Sequence, residues 1–340
     1  MDLINSSDYQ VTVSTLVRNG THFPAPATKT FIVLSLLLAS IIGIISNALY
    51  LWVLKFKMKR TVNTLLYFHL IFSYFIATLI VPFITISYLW DNHWIFGTAM
   101  CKVFNSILYM GIFASSFFLS AISVDRYLFT LYPVWSQLHR TPRRASSIIL
   151  VVWISATVLG TPYLVFRETY DDHEGRVICQ NSYEVSTDWE SEKTQTFKKW
   201  IHVGCFTSRF LLGFLLPFLI ITFCYGRIAN KMKKRGLFKS SKPFKVMMTA
   251  IISFFVCWMP YYVYQGLLLT KIQSLLLQLA LLLAVITTSC NAVFSPLLYL
   301  FIGENFKKVF KKSILALFES TFSEDYSPER TQNLNSETYI

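Results

Sequence analysis

Seven stretches of this chain are apolar over lengths that match the hydrocarbon thickness of a bilayer, and one soluble core would not bury them. A helix rising about 1.5 Å per residue needs about 20 mostly apolar residues to cross roughly 30 Å of hydrocarbon. The stretches run over about 30–54, 62–89, 98–132, 146–166, 200–226, 245–270 and 274–302. Hydrophobic residues make up 54% of the 340 and charged residues only 14%, so the bilayer is the expected solvent. Backbone polar groups in lipid must be satisfied within the chain, which favours helices. The expected fold is therefore all-α: a bundle of seven membrane-crossing helices over 30–303, after an outer segment 1–29. A short amphipathic helix over 304–318 and a disordered tail over 319–340 are expected to follow.

The net charge of +13 follows membrane topology rather than forming a nucleic-acid-binding patch. Lys55, Lys57, Lys59 and Arg60 follow the first stretch, Arg140, Arg143 and Arg144 separate the third from the fourth, and 227–245 carries eight Lys or Arg and no acid. The alternate segments differ: 167–199 holds five basic against eight acidic residues, and 90–97 holds Asp91 alone. Basic loops stay in the cytoplasm, so the N-terminus is expected outside and the C-terminus inside, at the plasma membrane. Residues 1–29 hold no apolar run, so the first helix is expected to direct insertion without a cleavable signal. Asn5 and Asn19 head the only Asn-x-Ser/Thr sequons, both on the outer side, and read as glycosylation sites.

Cys205, Cys224, Cys257 and Cys290 fall in apolar stretches, where a small packed hydrophobe is the ordinary role. Cys101 opens the third stretch and Cys179 lies in the long outer loop, both on the oxidising side. A disulfide between them would tie that loop across the outer mouth; the other reading is two unpaired thiols.

The third stretch ends in Asp125, Arg126 and Tyr127, a charge pair at a membrane boundary where charge is a functional signal by default. Asp125 is expected to hold its neighbour Arg126 until a partner offers other acceptors. The sixth stretch contains Cys257-Trp258-Met259-Pro260 and the seventh ends in Ser295-Pro296-Leu297-Leu298-Tyr299. Proline removes a helix hydrogen bond and kinks the rod, which membrane burial tolerates. Pro82, Pro162, Pro217, Pro260 and Pro296 fall one each in stretches two, four, five, six and seven.

Asn47, Cys101, the Asp125-Arg126-Tyr127 triplet, Trp153, Pro217 with Tyr225, and the two proline motifs stand in the order and spacing of class A G-protein-coupled receptors. The chain resembles that class over about 30–318. Thr61-Val62-Asn63-Thr64 and the run Tyr132 to Thr141 are similar to its chemoattractant branch, which includes formyl-peptide, anaphylatoxin and chemerin receptors and orphan members. The resemblance implies a receptor, not an enzyme, with no cofactor. It implies a heterotrimeric G protein of the inhibitory class, a receptor kinase and arrestin as inner partners, and an extracellular peptide or acidic lipid as ligand. Asp125, Arg126, Tyr127, Tyr225, Pro260, Pro296 and Tyr299 would form its coupling switch.

Two departures bear on function. Tyr74 stands where the family's second helix carries Asp, and Ser295 where its seventh carries Asn or Asp. In the family these positions help bind a sodium ion that favours the inactive state. A phenol and a hydroxyl replace anionic or amide oxygens, so even with Asn291 and Ser115 present no sodium effect on agonist affinity is expected. Moreover, no Asp or Glu occurs between Glu192 and Glu304, so the sixth helix offers Arg126 no carboxylate lock. Measurable ligand-free signalling is expected.

The same acid-free span isolates Arg209, roughly 12 Å into the fifth helix at 1.5 Å per residue. A buried guanidinium needs a partner. Arg209 either reaches an outer-loop acid such as Glu184 or Asp188, snorkels outward, or receives a ligand carboxylate in its fork. The family resemblance favours the last, with Tyr109, Trp258, Tyr261, Tyr262 and Gln265 lining the pocket. Tyr109 and Cys205 occupy the positions where formyl-peptide receptors carry Asp and a second Arg, which argues against formyl-methionine. Asp171, Asp172 and Glu174 in the outer loop are either a solvated face or an attraction for basic peptides.

Phe306, Phe310, Ile314, Leu317 and Phe318 fall near one helical face among lysines, the pattern of a helix lying under the bilayer. Beyond it, Ser320, Thr321, Ser323 and Ser327 lie among acids and are candidate phosphorylation sites whose added charge would recruit a basic arrestin surface. The alternatives to a signalling receptor are a decoy that engages arrestin alone, kept open by Tyr74 and Ser295, and a transporter, for which no inverted repeat is visible. No metal cluster, catalytic triad or phosphate loop is visible in the sequence.

Overall fold

The structure, a computed structural model, describes residues 26–172, 175–181, 192–235, 242–269 and 275–299, together with five positions between 309 and 315. Seven long helices lie along it among the described residues. They are α1 (Pro26–Phe56), α2 (Val62–Leu89), α3 (Gly97–Leu131) and α4 (Pro142–Gly160). α5 runs through Glu192–Phe210, a π-helical turn Leu211–Leu215, and Leu216–Lys234; α6 is Lys242–Leu267 and α7 is Leu275–Tyr299. Each expected span falls on one of them.

The apolar faces show which solvent these rods meet. On α1, Phe31, Leu34, Leu38, Ile41 and Ile45 recur at three- and four-residue steps and are all more than half exposed, while Ile32, Val33, Ala39, Ser40 and Asn47 are buried. An apolar outer stripe around a polar-containing inner face suits lipid. α3 is the central rod: 67% of its membrane window is buried, against 28–39% for α1, α2, α4 and α5. It packs against α2, α4 and α5, and α7 closes the ring on α1. A Cβ on Gly111 of α3 would sit 3.0 Å from both the Ala77 Cβ and the Ser73 carbonyl oxygen of α2, so this crossing accepts no larger residue. Between α4 and α2, the Trp153 indole donates to His69 Nδ1 at 3.2 Å.

Local chemistry sets the helix ends. Thr61 and Thr64 cap each other reciprocally at the start of α2, the Thr64 amide donating to Thr61 Oγ1 at 3.3 Å and the Thr61 amide to Thr64 Oγ1 at 2.8 Å. A seven-residue helix, Pro133–His139, fills the loop between α3 and α4. Pro162 cannot continue the α4 ladder, and a one-turn segment, Pro162–Phe166, leads outward. Pro217, which lacks an amide hydrogen, follows the π-helical turn of α5, where one hydrogen-bonded loop holds an extra residue.

Two boundaries differ from expectation. α5 begins at Glu192 and ends at Lys234 rather than spanning 200–226. Apolar patterning marks only the part expected in hydrocarbon, whereas backbone hydrogen bonding continues the helix past it at both ends. The outer segment expected as loop contains a hairpin, β1 (Arg167–Asp171) paired antiparallel with β2 (Val177–Asn181), with Thr169 opposite Cys179. A Cys101–Cys179 disulfide with a Cα separation of 5.8 Å fastens β2 to the head of α3. Toward the C-terminus, Val309, Lys311, Lys312, Ser313 and Leu315 are helical, with Val309 against the core.

Candidate functional site

Arg209 is 3% exposed, which excludes the snorkelling arrangement. Its guanidinium meets phenols rather than acids: one terminal nitrogen donates to Tyr109 Oη at 2.9 Å and Tyr261 Oη at 3.1 Å. The guanidinium carbon lies 5.1 Å from the Tyr109 ring centroid and 5.8 Å from that of Tyr163, so two π-faces share the charge. Those rings stack on each other at 3.6 Å. Among the described residues no carboxylate lies within 4 Å of Arg209, and its Nε finds no acceptor. Neutral hydroxyls solvate a cation without cancelling it, so the cage retains a net positive charge in a low-dielectric site. Glu184 and Asp188 lie outside the described residues.

The expected lining residues gather around this cation unequally. Tyr262 is buried, and its hydroxyl donates to the Arg209 carbonyl at 3.5 Å. Trp258 stands edge-on to Tyr261 at 5.6 Å with its indole N–H unmatched, and Gln265 is half-buried one turn beyond Tyr261. Room for Tyr262 comes from Gly213 in the π-helical turn, where a Cβ would sit 3.3 Å from the Tyr262 hydroxyl and 3.2 Å from Phe113. Sequence reasoning missed Tyr163 and Arg167. Arg167, at the start of β1, approaches the Tyr109 hydroxyl and donates to the Cys179 carbonyl at 3.3 Å. The disulfide-tethered hairpin thus brings a second guanidinium to the rim.

At the inner end the expected Asp125–Arg126 pair is not formed. Asp125 is held by Arg140 instead, Nε to Oδ1 at 2.7 Å and a terminal nitrogen to Oδ2 at 2.9 Å, and Arg140 also donates to Asn63. Consecutive helical residues project about 100° apart, so a residue from the loop reaches the carboxylate more directly than Arg126 does. Arg126 turns inward to the Tyr67 hydroxyl, with Tyr225 nearby. Tyr127 packs against Phe223 and Tyr132. Lys231 of α5 donates to the Thr130 and Leu131 carbonyls at 2.8 and 3.0 Å, capping the end of α3. Pro260 lies inside α6. The side chains of Pro296 and Tyr299 lie outside the described residues, as do Asn5, Asn19 and the tail positions Ser320, Thr321, Ser323 and Ser327.

The family's sodium site does not fit these residues. Tyr74 places an aromatic ring against the core where a carboxylate would be needed, and the Ser115 hydroxyl donates to the Ile112 carbonyl of its own helix at 2.9 Å. Raising sodium at constant ionic strength is therefore expected to leave ligand-free nucleotide exchange unchanged; suppression by sodium would overturn that expectation.

Comparison with known proteins agrees with this geometry. The family described as 7 transmembrane receptor (rhodopsin family) matches residues 46–299. The chain is 71% identical over 332 residues to the human protein described as "Probable G-protein coupled receptor 33", covering 98% of this chain and all of that protein. The Mus musculus protein of the same description is 68% identical over 340 residues, the full length of both. Human "Chemerin-like receptor 1" is 39% identical over 309 residues, 88% of this chain and 82% of that receptor. The chain belongs to the rhodopsin family of seven-transmembrane receptors, in its chemoattractant-like branch.

Proposed function

We propose that this receptor converts binding of an extracellular anionic ligand, a peptide carboxylate or an acidic lipid, into activation of an inhibitory-class heterotrimeric G protein. One observation carries the ligand class: among the described residues Arg209 is a buried cation matched only by phenols, with an idle Nε and Arg167 at the rim. A carboxylate entering the fork would supply the missing counter-charge and two charge-assisted hydrogen bonds. Because Tyr261 and Tyr262 of α6 both bond Arg209 of α5, a ligand that takes over this guanidinium alters α6 directly. Tighter binding to the shifted state is what drives the population shift. At the cytoplasmic end, Val134 and Leu138 of the loop helix are each 72% exposed and offer an apolar patch to the G protein.

The proposal includes an outer N-terminus glycosylated at Asn5 and Asn19 and an inner tail phosphorylated by a receptor kinase at Ser320, Thr321, Ser323 and Ser327 for arrestin. Epitope tags on intact cells test the orientation: an N-terminal tag is expected to stain without permeabilisation and a C-terminal tag only after it. Staining of both without permeabilisation would refute seven crossings. Function is tested by screening peptides with free C-terminal carboxylates and acidic lipids for nucleotide exchange and arrestin recruitment. Recruitment of arrestin with no exchange on any G protein would favour a decoy.

A further inference from the structure

The pairing at the inner end of α3 assigns Arg140 a role beyond anchoring a loop. Arg140 ends the helix Pro133–His139 and immediately precedes Thr141, whose hydroxyl accepts from the Arg144 amide at the start of α4. Its guanidinium is fixed from three sides: Asp125 takes two of its hydrogen bonds, Asn63 of α2 takes another, and the Phe129 ring lies 5.3 Å away. Both partners are mostly shielded, with side-chain exposures of 21% for Arg140 and 14% for Asp125. Arg126, by contrast, has an Nε without an acceptor and no carboxylate within 4 Å among the described residues.

Asp125 is the one acid in the 35 residues of α3, and α5, α6 and α7 supply none after Glu192. A single carboxylate thus faces two arginines, Arg126 beside it and Arg140 across from it. Bidentate geometry favours Arg140. We infer that Arg140 is a positioning residue of the switch: by occupying Asp125, it withholds from Arg126 the carboxylate that would hold it, and so keeps Arg126 available to the cytoplasmic partner. The loop helix that carries Arg140 also carries exposed Val134 and Leu138, so a partner docking there bears on the same contact. This inference rests on the receptor reading above.

The test is ligand-free nucleotide exchange by purified full-length receptor with an inhibitory-class G protein, comparing wild type, Arg140→Gln, Asp125→Asn and the double variant. Arg140→Gln is expected to lower exchange about fivefold, the factor that about 1 kcal/mol of new Asp125–Arg126 pairing exerts on a two-state equilibrium. Asp125→Asn is expected to leave exchange at or above the wild-type rate, since Arg126 is already free of the carboxylate, and the double variant to match Asp125→Asn, because removing Arg140 matters only while a carboxylate remains. Loss of exchange in all three variants would show that the pair merely anchors the loop, and an unchanged or higher rate in Arg140→Gln would also overturn the inference. Nitrogen-15 NMR of arginine Nε in nanodiscs gives a readout that needs no G protein. The Arg126 signal is expected to shift and exchange slowly in Arg140→Gln but not in the double variant. An Arg126 signal indifferent to Arg140 sinks the inference, whereas the expected NMR shift without any exchange by wild type would place the failure in the G-protein reading.

Discussion

Arg209→Gln is expected to reduce agonist potency by about 100-fold or more while leaving the ligand-free receptor at least as resistant to heat as wild type. Both halves follow from the same cage. Truncating one partner of a buried charge pair costs about 2–5 kcal/mol, and about 1.4 kcal/mol is tenfold in affinity. In the ligand-free protein the change removes a buried cation that no acid among the described residues neutralises, and it leaves Tyr109 and Tyr261 only 3.4 Å apart, close enough to bond each other. Potency in an exchange assay and a melting curve of purified receptor check the two halves separately. Unchanged potency would remove Arg209 from the ligand site, and a lower melting midpoint would show the cation to be a structural keystone.

Cys101→Ser and Cys179→Ser are each expected to abolish most surface expression, and the double variant to be no worse than either. The bond closes a loop of 78 residues, for which chain entropy alone gives about 4.5 kcal/mol. Without it β2 loses its covalent attachment to α3, and Arg167 at the base of β1 loses the fixed strand that sets its distance from Tyr109. Flow cytometry of N-terminally tagged variants measures expression; normal surface levels in either single variant would show that the remaining hairpin contacts suffice. Any residual surface receptor is expected to respond weakly, since the rim guanidinium is no longer held in place.

The bundle itself was legible because hydrocarbon thickness dictates apolar length, and nothing else in a chain of this composition explains seven such runs. Helix ends were not, since α5 continues from Glu192 to Lys234 through residues that hydropathy assigns to water. The hairpin was missed because five-residue strands leave too short a pattern to read. Arg209 could be read as a lone cation in an acid-free span, but Tyr163 and Arg167 come from a different segment and reach it only after that segment folds over α3. The Asp125–Arg126 expectation rested on adjacency in sequence, but consecutive helical residues project about 100° apart, and the bidentate grip of Arg140 took the carboxylate from 15 positions away.

The π-helical turn in α5 carries a consequence for how this receptor tolerates change. One surplus residue between 211 and 215 sets the rotational phase of everything on its outer side relative to everything on its inner side. Deleting a single residue there would restore ordinary helix and turn Arg209 about 100° out of its tyrosine cage, while Tyr225 and Lys231 kept their seats below. Insertions and deletions in that one turn would therefore uncouple what the receptor senses outside from what it does inside, with no substitution in either place.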